Sequence, residues 1–316
     1  MTGQLGRGNT GTRDARANDF GTRMKLVALR LRLWRDSARA LARRLRKNKL
    51  ATVGLVFVLV FVATAIFAPL IARMPPDGMN LADRFSPPSL TGKYILGADH
   101  LGRDVFSRIV YGARVSILVG VITVTISLAV GGTLGVLAGY HGGKLDAALS
   151  RFSEILLAFP YLIFAIGAMA MMGPGFWNLI WALCFKGWVE FFRLARAGVM
   201  AEKTREYVDA ARVLGRSDAA IMVSEILPNM INPLIVVGTL RMGTMMVMEA
   251  SLSFLGIGIP PRIPAWGSMI QDGYRFILNA WWLSTLPGLF LVILVLSVNL
   301  FGEALREALD PELKTF

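Results

Sequence analysis

Residues 206–215 have the sequence Glu-Tyr-Val-Asp-Ala-Ala-Arg-Val-Leu-Gly, a polar stretch inside a chain that is otherwise largely apolar. Ala210 and Ala211 favour helix and have small side chains, so the stretch predicts a short helix that a partner surface can approach closely. Gly215 suits the left-handed position that ends a helix, and Pro228 predicts the start of the next element because proline disrupts helix interiors. An ordinary amphipathic surface helix between two membrane spans is the alternative interpretation.

This stretch resembles the coupling loop of ABC-importer permeases, in which an acidic residue and Ala-Ala are followed by Gly and later by Leu-Pro. Asp209 stands where that loop usually has Glu, and Glu225 stands where it has an apolar residue. In that family the loop is a short cytoplasmic helix that docks on an ATP-hydrolysing subunit. The resemblance therefore implies an ATPase-coupling loop over residues 202–228. The residues implied in coupling are Glu206, Asp209, Ala210, Ala211, Gly215, Leu227 and Pro228.

The composition indicates an integral membrane protein. The chain is 54% hydrophobic with a mean hydropathy of +0.55, whereas soluble domains are about 45–50% apolar. Residues 1–49 hold 14 Lys and Arg against 3 Asp and Glu, so they carry +11 of the net charge of +13. A basic tail beside an apolar span indicates retention in the cytoplasm and contact with anionic lipid, and no nucleic acid is expected as a partner.

Two domains are expected. Residues 1–49 form a basic cytoplasmic tail, with an amphipathic helix between Leu26 and Leu45, and residues 50–316 form the transmembrane domain. Apolar stretches long enough to cross a bilayer predict six spans. They cover about 50–71, 115–140, 155–172, 177–193, 232–256 and 281–301. The sequence thus predicts an all-α polytopic membrane protein with six transmembrane helices, and the resemblance implies the fold of type I ABC importer permeases.

The connections between spans give further expectations. Residues 141–150 are expected to form a short cytoplasmic turn, and Phe159-Pro160 interrupts the third span. Because six spans return the chain to its starting side, both termini and the coupling loop are expected in the cytoplasm. The resemblance implies that this membrane is the bacterial inner membrane.

A strip of glycines predicts close helix packing in the second span. Gly131, Gly135 and Gly139 recur every fourth residue, so they lie on one helix face. In lipid such a strip lets two helix backbones approach each other closely. The single cysteine, Cys184, excludes an internal disulfide and is interpreted as a packed or lipid-facing thiol.

Charged residues at membrane depth predict polar partners or a pathway. Arg241 and Glu249 lie in the fifth span, where a charge costs about 2.5–3.5 kcal/mol. They are ~80° apart around the helix and ~12 Å apart along it, so they are not expected to pair with each other. We expect each to have a partner on another helix or to face the pathway. Lys186 and Glu190, four residues apart, are candidates for an ion pair in the fourth span.

Two further blocks resemble the same family. Residues 96–108 are similar to the block before the second span in the dipeptide, oligopeptide and nickel branch, in the shorter of its two permease types. Residues 250–269 are similar to the block after the fifth span, with Trp266 expected at interface depth. Asp99, His100 and Asp104 have poor spacing for a tetrahedral metal site, and no second histidine is near. A hydrogen-bonded external loop, with Asp104 capping the next helix, is expected instead.

The resemblance implies a permease subunit that shares its pathway with a homologous second permease. It also implies two ATP-binding subunits on the inside and an extracytoplasmic solute-binding protein outside. ATP and Mg are expected on the ATP-binding subunits, with no catalytic residue, cofactor or metal in this chain. The implied mechanism is alternating access. Di- and oligopeptides are the expected substrates, and nickel chelates, glutathione and oligosaccharides are the alternatives within the branch.

Two other function classes explain the sequence less well. A secondary transporter would often show inverted repeats and broken ion-binding helices, and it has no role for the Asp209-Ala-Ala loop. A membrane-embedded enzyme needs a catalytic set, but the sequence has no His-Glu-x-x-His and no Gly-x-Ser-x-Gly.

Overall fold

The computed structural model describes residues 49–309, so nearly all of the predicted basic tail, including its amphipathic helix, lies outside the described residues. Within this part the regular structure is helical, and strand-like pairing is confined to one bridge between Ala98 and Asp104. The all-α prediction is confirmed. The α-helices are α1 (Lys49–Ile66), α2 (Ala68–Ile71), α3 (Val105–His141), α4 (Gly143–Ala158), α5 (Tyr161–Met172), α6 (Phe176–Glu202), α7 (Glu206–Val213), α8 (Asp218–Ile221), α9 (Leu227–Phe254), α10 (Trp266–Tyr274) and α11 (Trp282–Leu309).

Four segments in the described part are long and apolar enough to cross a membrane. They are Lys49–Ile66, Val105–His141, Asp218–Phe254 and Trp282–Leu309. Helices α4 and α5 add a fifth only as one broken span, because they meet at an angle of 93°. The structure therefore supports four or five spans by length and composition, fewer than the predicted six. The remaining predicted span lies on α6, which is 27 residues long but carries Lys186, Glu190 and Arg193 along its length.

Helix α3 begins ten residues before the predicted second span, at Val105. Asp104 caps it as predicted: its carboxylate accepts hydrogen bonds from the backbone N–H of Ser107, at 2.9 Å, and from the Ser107 hydroxyl. Arg108 and Arg114 lie in the first three turns of α3. In the folded chain their guanidinium groups donate to backbone carbonyls, of Pro76 and of Ala65 respectively, so helix and charge are compatible.

The structure also differs from the prediction at one turn and at the ends of three other spans. Residues 143–150 are the start of α4 and not a turn, because Gly142 and Gly143, with φ of +66° and +62°, complete the reversal. Helix α6 continues beyond residue 193 to Glu202, α9 begins at Leu227, and α11 extends to Leu309. The inner end of α6 stays helical because its charges have partners, such as Arg196 with Asp146 on α4.

The glycine strip of α3 lies against α6. A Cβ added to Gly131 would be 2.1 Å from the carbonyl oxygen of Trp188, and one added to Gly135 would be 2.5 Å from that of Phe192. At Gly139 the corresponding distance, to the Arg196 oxygen, is 2.8 Å. The two backbones are therefore in direct contact along three turns. Cys184 is packed in this interface, where its thiol donates to the carbonyl of Thr123 at 3.6 Å.

Trp266 is a core residue and not the interface residue that was predicted. It is fully buried, and its indole N–H donates to the carbonyl oxygen of Ile109 at 3.0 Å. The indole fits because Gly112 leaves room: a Cβ there would be 2.5 Å from the Trp266 ring. Close packing of α10 on α3 thus removes this side chain from any lipid boundary.

Candidate functional site

Helix α7 ends as the sequence predicts. Gly215 has φ of +75° and directly follows Leu214, which is the C-cap residue of α7. The N–H of Gly215 donates to the Arg212 carbonyl at 2.9 Å, and the N–H of Arg216 donates to the Ala211 carbonyl at 3.2 Å. This pair of hydrogen bonds is a Schellman motif, which requires the left-handed backbone that glycine adopts easily. The helix therefore ends abruptly, and the chain turns back toward α8.

Pro228 is the second residue of α9, in the first turn, where proline is common. The preceding turn, Met222–Ile226, is a π-helical turn that continues α8 into α9. Asn229 closes the junction, because its side-chain amide donates to the Glu225 carbonyl at 3.0 Å. The predicted loop is thus a compact sequence of short helices whose last turn joins the apolar segment.

The structure separates the two alanines that were predicted to form one small face. Ala211 is 6% exposed and belongs to the same buried cluster as Val208, which is fully buried. Ala210 is exposed, together with Glu206 and Asp209. Ala211 is therefore buried within the chain, and its predicted contact with an ATP-binding subunit stays a prediction. Three residues are most of one helical turn, so Val208 and Ala211 face inward together while Ala210 points away.

An apolar pair at the end of α7, which the sequence analysis did not single out, is the most exposed feature of the segment. Val213 is 88% exposed and Leu214 is 81% exposed. They are surrounded in sequence by Arg212, Gly215 and Arg216, so these apolar side chains do not continue a membrane-facing surface. Two adjacent apolar residues before a helix-ending glycine, in an otherwise polar stretch, were the available signal.

Polar contacts attach the segment to the inner ends of the long helices. The Tyr207 hydroxyl donates to the carboxylate of Glu202 on α6 and accepts from the Asn229 amide of α9 at 3.0 Å. Burial, and then the bond to Glu202, raises the pKa of Tyr207, so the hydroxyl remains protonated and able to donate. The Tyr140 hydroxyl at the end of α3 donates to Asp218 of α8 at 2.6 Å. Displacing α7 or α8 would therefore strain α3, α6 and α9 directly.

The two charges predicted in the fifth span do not pair with each other. The Nε of Arg241 forms an ion pair with Glu190 on α6. Lys186 does not pair with Glu190, as the sequence had suggested, but donates to the Phe159 carbonyl at the break between α4 and α5. Arg241 and Glu190 are each more than a third exposed. These contacts agree with the expectation that Arg241 has a partner on another helix.

Glu249 is fully buried and differs from Arg241 in this respect. Its carboxyl accepts hydrogen bonds from Ser253 on its own helix at 2.8 Å and from Ser116 on α3 at 3.4 Å. The Ser253 hydroxyl in turn accepts from the N–H of Ile259 at 3.2 Å. Glu249 therefore organises the outer end of α9 from inside the chain. The predicted pathway role of Arg241 and Glu249 stays a prediction, and the enclosure of Glu249 gives it no support.

The acidic residues of the outer loop are used internally. Asp99 accepts from Arg103 Nε at 2.6 Å and from the N–H of Leu101 at 2.8 Å. Arg103 also lies 3.6 Å from a carboxylate oxygen of Asp272 on α10. Across residues 49–309, no three His, Cys, Asp or Glu side chains are grouped so that they could hold a metal ion.

Comparison with known proteins identifies the family. Residues 131–315 match the binding-protein-dependent transport system inner membrane component family. Residues 33–88 match the N-terminal TM domain of oligopeptide transport permease C. The chain belongs to the family of binding-protein-dependent permeases. It is therefore a multi-pass inner-membrane transport component.

Relatives of this permease are similar over most of their length. It is 40% identical to the dipeptide transport system permease protein DppC of Alkalihalophilus pseudofirmus, over 89% of this chain and 91% of that protein. It is 41% identical to the di/tripeptide transport system permease protein DppC of Pseudomonas aeruginosa, over 84% and 89% respectively. It is 35% identical to the oligopeptide transport system permease protein OppC of Bacillus subtilis, over 94% and 96%.

Proposed function

We propose that this permease is half of the translocation pathway of an ATP-driven importer for di- and oligopeptides. The observation that carries the proposal is the similarity, over nearly the whole chain, to permeases that are named for dipeptide, di/tripeptide and oligopeptide transport. Its partners would be a homologous second permease, two ATP-binding subunits and an extracytoplasmic solute-binding protein. ATP and Mg would bind to the ATP-binding subunits, and this chain would hold no cofactor.

Six spans are part of the proposal. Counting the bent pair α4–α5 as one span and α6 as another adds two to the four apolar segments. Helix α6 has 27 residues, which at 1.5 Å per residue is about 40 Å, enough to cross a bilayer. Its charges have protein partners, because Lys186 donates to Phe159 and Glu190 pairs with Arg241. With six spans, both termini, the basic tail 1–49 and the coupling loop 202–228 lie in the cytoplasm.

The outward face of α7 is the proposed contact with an ATP-binding subunit. It combines the exposed apolar tip, Val213 and Leu214, with the exposed Glu206, Asp209 and Ala210. Exposed apolar side chains at the centre of a polar rim are typical of protein interfaces. The remaining coupling residues shape the segment: Ala211 packs inward, Gly215 ends α7, and Leu227 and Pro228 are the first two residues of α9.

To test the proposal, the importer is reconstituted in liposomes with its solute-binding protein. Two quantities are measured: the ATP-binding subunit that co-purifies with the permease, and the uptake of labelled dipeptide. We expect ATP-dependent dipeptide uptake by the unmodified complex. Leu214→Asp should lose co-purifying ATP-binding subunit and uptake together, because a carboxylate cannot be desolvated in an apolar contact without a partner. Leu90→Asp is the matched control, because Leu90 is 90% exposed and lies in the outer loop.

Two results would contradict the proposal in different ways. Equal retention of the ATP-binding subunit by Leu214→Asp and Leu90→Asp would remove the docking role from the tip. Uptake of a nickel chelate, glutathione or an oligosaccharide, but of no peptide, would change the substrate and leave the coupling role intact.

A further inference from the structure

Three charged side chains meet halfway along the membrane helices. Arg241 is near the middle of α9, and Lys186 and Glu190 are near the middle of α6. The Phe159 carbonyl, at the 93° break between α4 and α5, lies beside them and accepts from Lys186. The cluster therefore sits where a broken helix leaves a backbone carbonyl without its helical partner, as in the substrate sites of other transporters.

The cluster has an uncompensated positive charge. Two cations, Lys186 and Arg241, face one carboxylate, that of Glu190. Lys186 is hydrogen-bonded to a neutral carbonyl and its residue is only 6% exposed, so it adds positive potential without being open to solvent. Charges at this depth are expected to be paired. The three side chains therefore carry a net charge of +1, which one bound anion would neutralise.

Arg241 is the member of the cluster that can reach a ligand. Its side chain is 38% exposed, and that of Glu190 is 39% exposed. A charged side chain that faced lipid at this depth would be unfavourable, so this face borders water or another chain. Glu190 contacts the guanidinium of Arg241 through Nε, which sets the orientation of the group. A guanidinium carries five N–H donors in a fixed fork, and those that Glu190 does not use are well suited to a carboxylate.

We propose that Arg241 binds the terminal carboxylate of the peptide as it crosses the membrane, with Glu190 positioning the guanidinium. This site rests on the proposed function, because a peptide importer always carries a substrate with such a carboxylate. Glu190 is a positioning residue, and Lys186 supplies a second fixed positive charge behind the site. Substrate binding brings the cluster to neutrality, and the substrate leaves by exchanging the carboxylate contact for water.

The experiment compares a dipeptide with its C-terminal amide in the complete reconstituted importer. The amount of loaded solute-binding protein is set equal for the two ligands, and the measured quantity is the ratio of acid to amide uptake rates. We expect this ratio to be about ten or more for the unmodified protein. Arg241→Gln should lower it toward one, by about tenfold or more, because a hydrogen bond to a charged group is lost. Glu190→Gln should keep the ratio above one, since the guanidinium remains.

The two variants separate a binding role from a structural ion pair. If the pair only stabilises α6 against α9, Arg241→Gln and Glu190→Gln will reduce uptake equally and leave the ratio unchanged, which would overturn the proposal. Arg151→Gln is the matched control: Arg151 forms an exposed ion pair with Glu154 on α4, and its loss should not alter the ratio. If the Arg241→Gln complex does not assemble, Arg241→Lys is the substitute. It keeps the positive charge but loses the planar, paired N–H donors of the guanidinium, so it should still lower the ratio.

The remaining outcomes also decide the matter. Loss of the second permease from purified Arg241→Gln or Arg241→Lys, with an unchanged ratio, would show that the partner permease supplies the anion and would overturn the site. A ratio of one for the unmodified protein would overturn the site but leave peptide transport intact. Absence of peptide uptake would overturn the proposed function and, with it, the site.

Discussion

The contact between α3 and α6 gives a prediction whose magnitude follows from the structure. In Gly131→Ala the new Cβ would be 2.1 Å from the Trp188 carbonyl oxygen and 2.9 Å from the Phe191 Cβ. Real Cβ atoms are not found closer than 3.0 Å to such neighbours, so the helices must separate by about 0.9 Å at this point. Neither obstacle is the end of a flexible side chain that could move away. We expect the variant to be destabilised by about 1–3 kcal/mol, the usual cost of overpacking.

The next residue provides the control. Gly132 is also buried in α3, but a Cβ there meets only the Leu128 side chain, at 4.0 Å. Gly132→Ala should therefore gain the ~0.5–1 kcal/mol by which alanine is preferred over glycine in a helix. The assay is thermal unfolding of the purified protein in detergent, where ~1 kcal/mol corresponds to a melting temperature shift of about 2–4 °C. Equal melting temperatures for the two variants would refute the argument that backbone contact at Gly131 holds α3 to α6.

The remaining predictions concern the coupling segment and the topology. Ala211→Trp should lower the melting temperature because it overfills the buried cluster around Val208. Ala210→Trp should keep the stability of the permease but lose the ATP-binding subunit. The same phenotype in both variants would contradict the separation of the two alanines. A topology reporter within residues 76–95 should be active only outside the cytoplasm, and one at the C-terminus only inside. A cytoplasmic signal from residues 76–95 would contradict the proposed orientation.

The features predicted correctly from sequence depend on interactions between residues that are close in the chain. Gly215 ends α7, Pro228 begins α9 and Asp104 caps α3, and each acts on backbone within a few residues of itself. A single residue type with a strong conformational or hydrogen-bonding preference is enough to predict such a site.

The features that were missed depend on partners far away in sequence. The predicted second span begins at residue 115, whereas α3 already begins at Val105, and the guanidinium of Arg114 inside this helix donates to the carbonyl of Ala65, 49 residues earlier. Lys186 was expected to pair with Glu190, four residues on, and instead donates to Phe159. Sequence spacing shows which contacts are available within one helix, but it does not show which neighbouring element offers a better partner.

Helix α6 connects the proposed coupling and substrate sites. Glu190 holds Arg241 near its middle, and Glu202, about 18 Å further along the axis, accepts the hydrogen bond from Tyr207 of α7. Between them lie Phe192 and Arg196, whose carbonyls contact the glycines of α3, so α6 and α3 are held together over this length. A displacement of α7 by an ATP-binding subunit would therefore act on a rigid pair of helices that carries Glu190. Because Arg241 lies on α9, whose first turn is tied to Tyr207 by Asn229, the same displacement bears on both sides of the Glu190–Arg241 pair. This connection gives a physical reason why substrate release and nucleotide state would be linked through one ion pair.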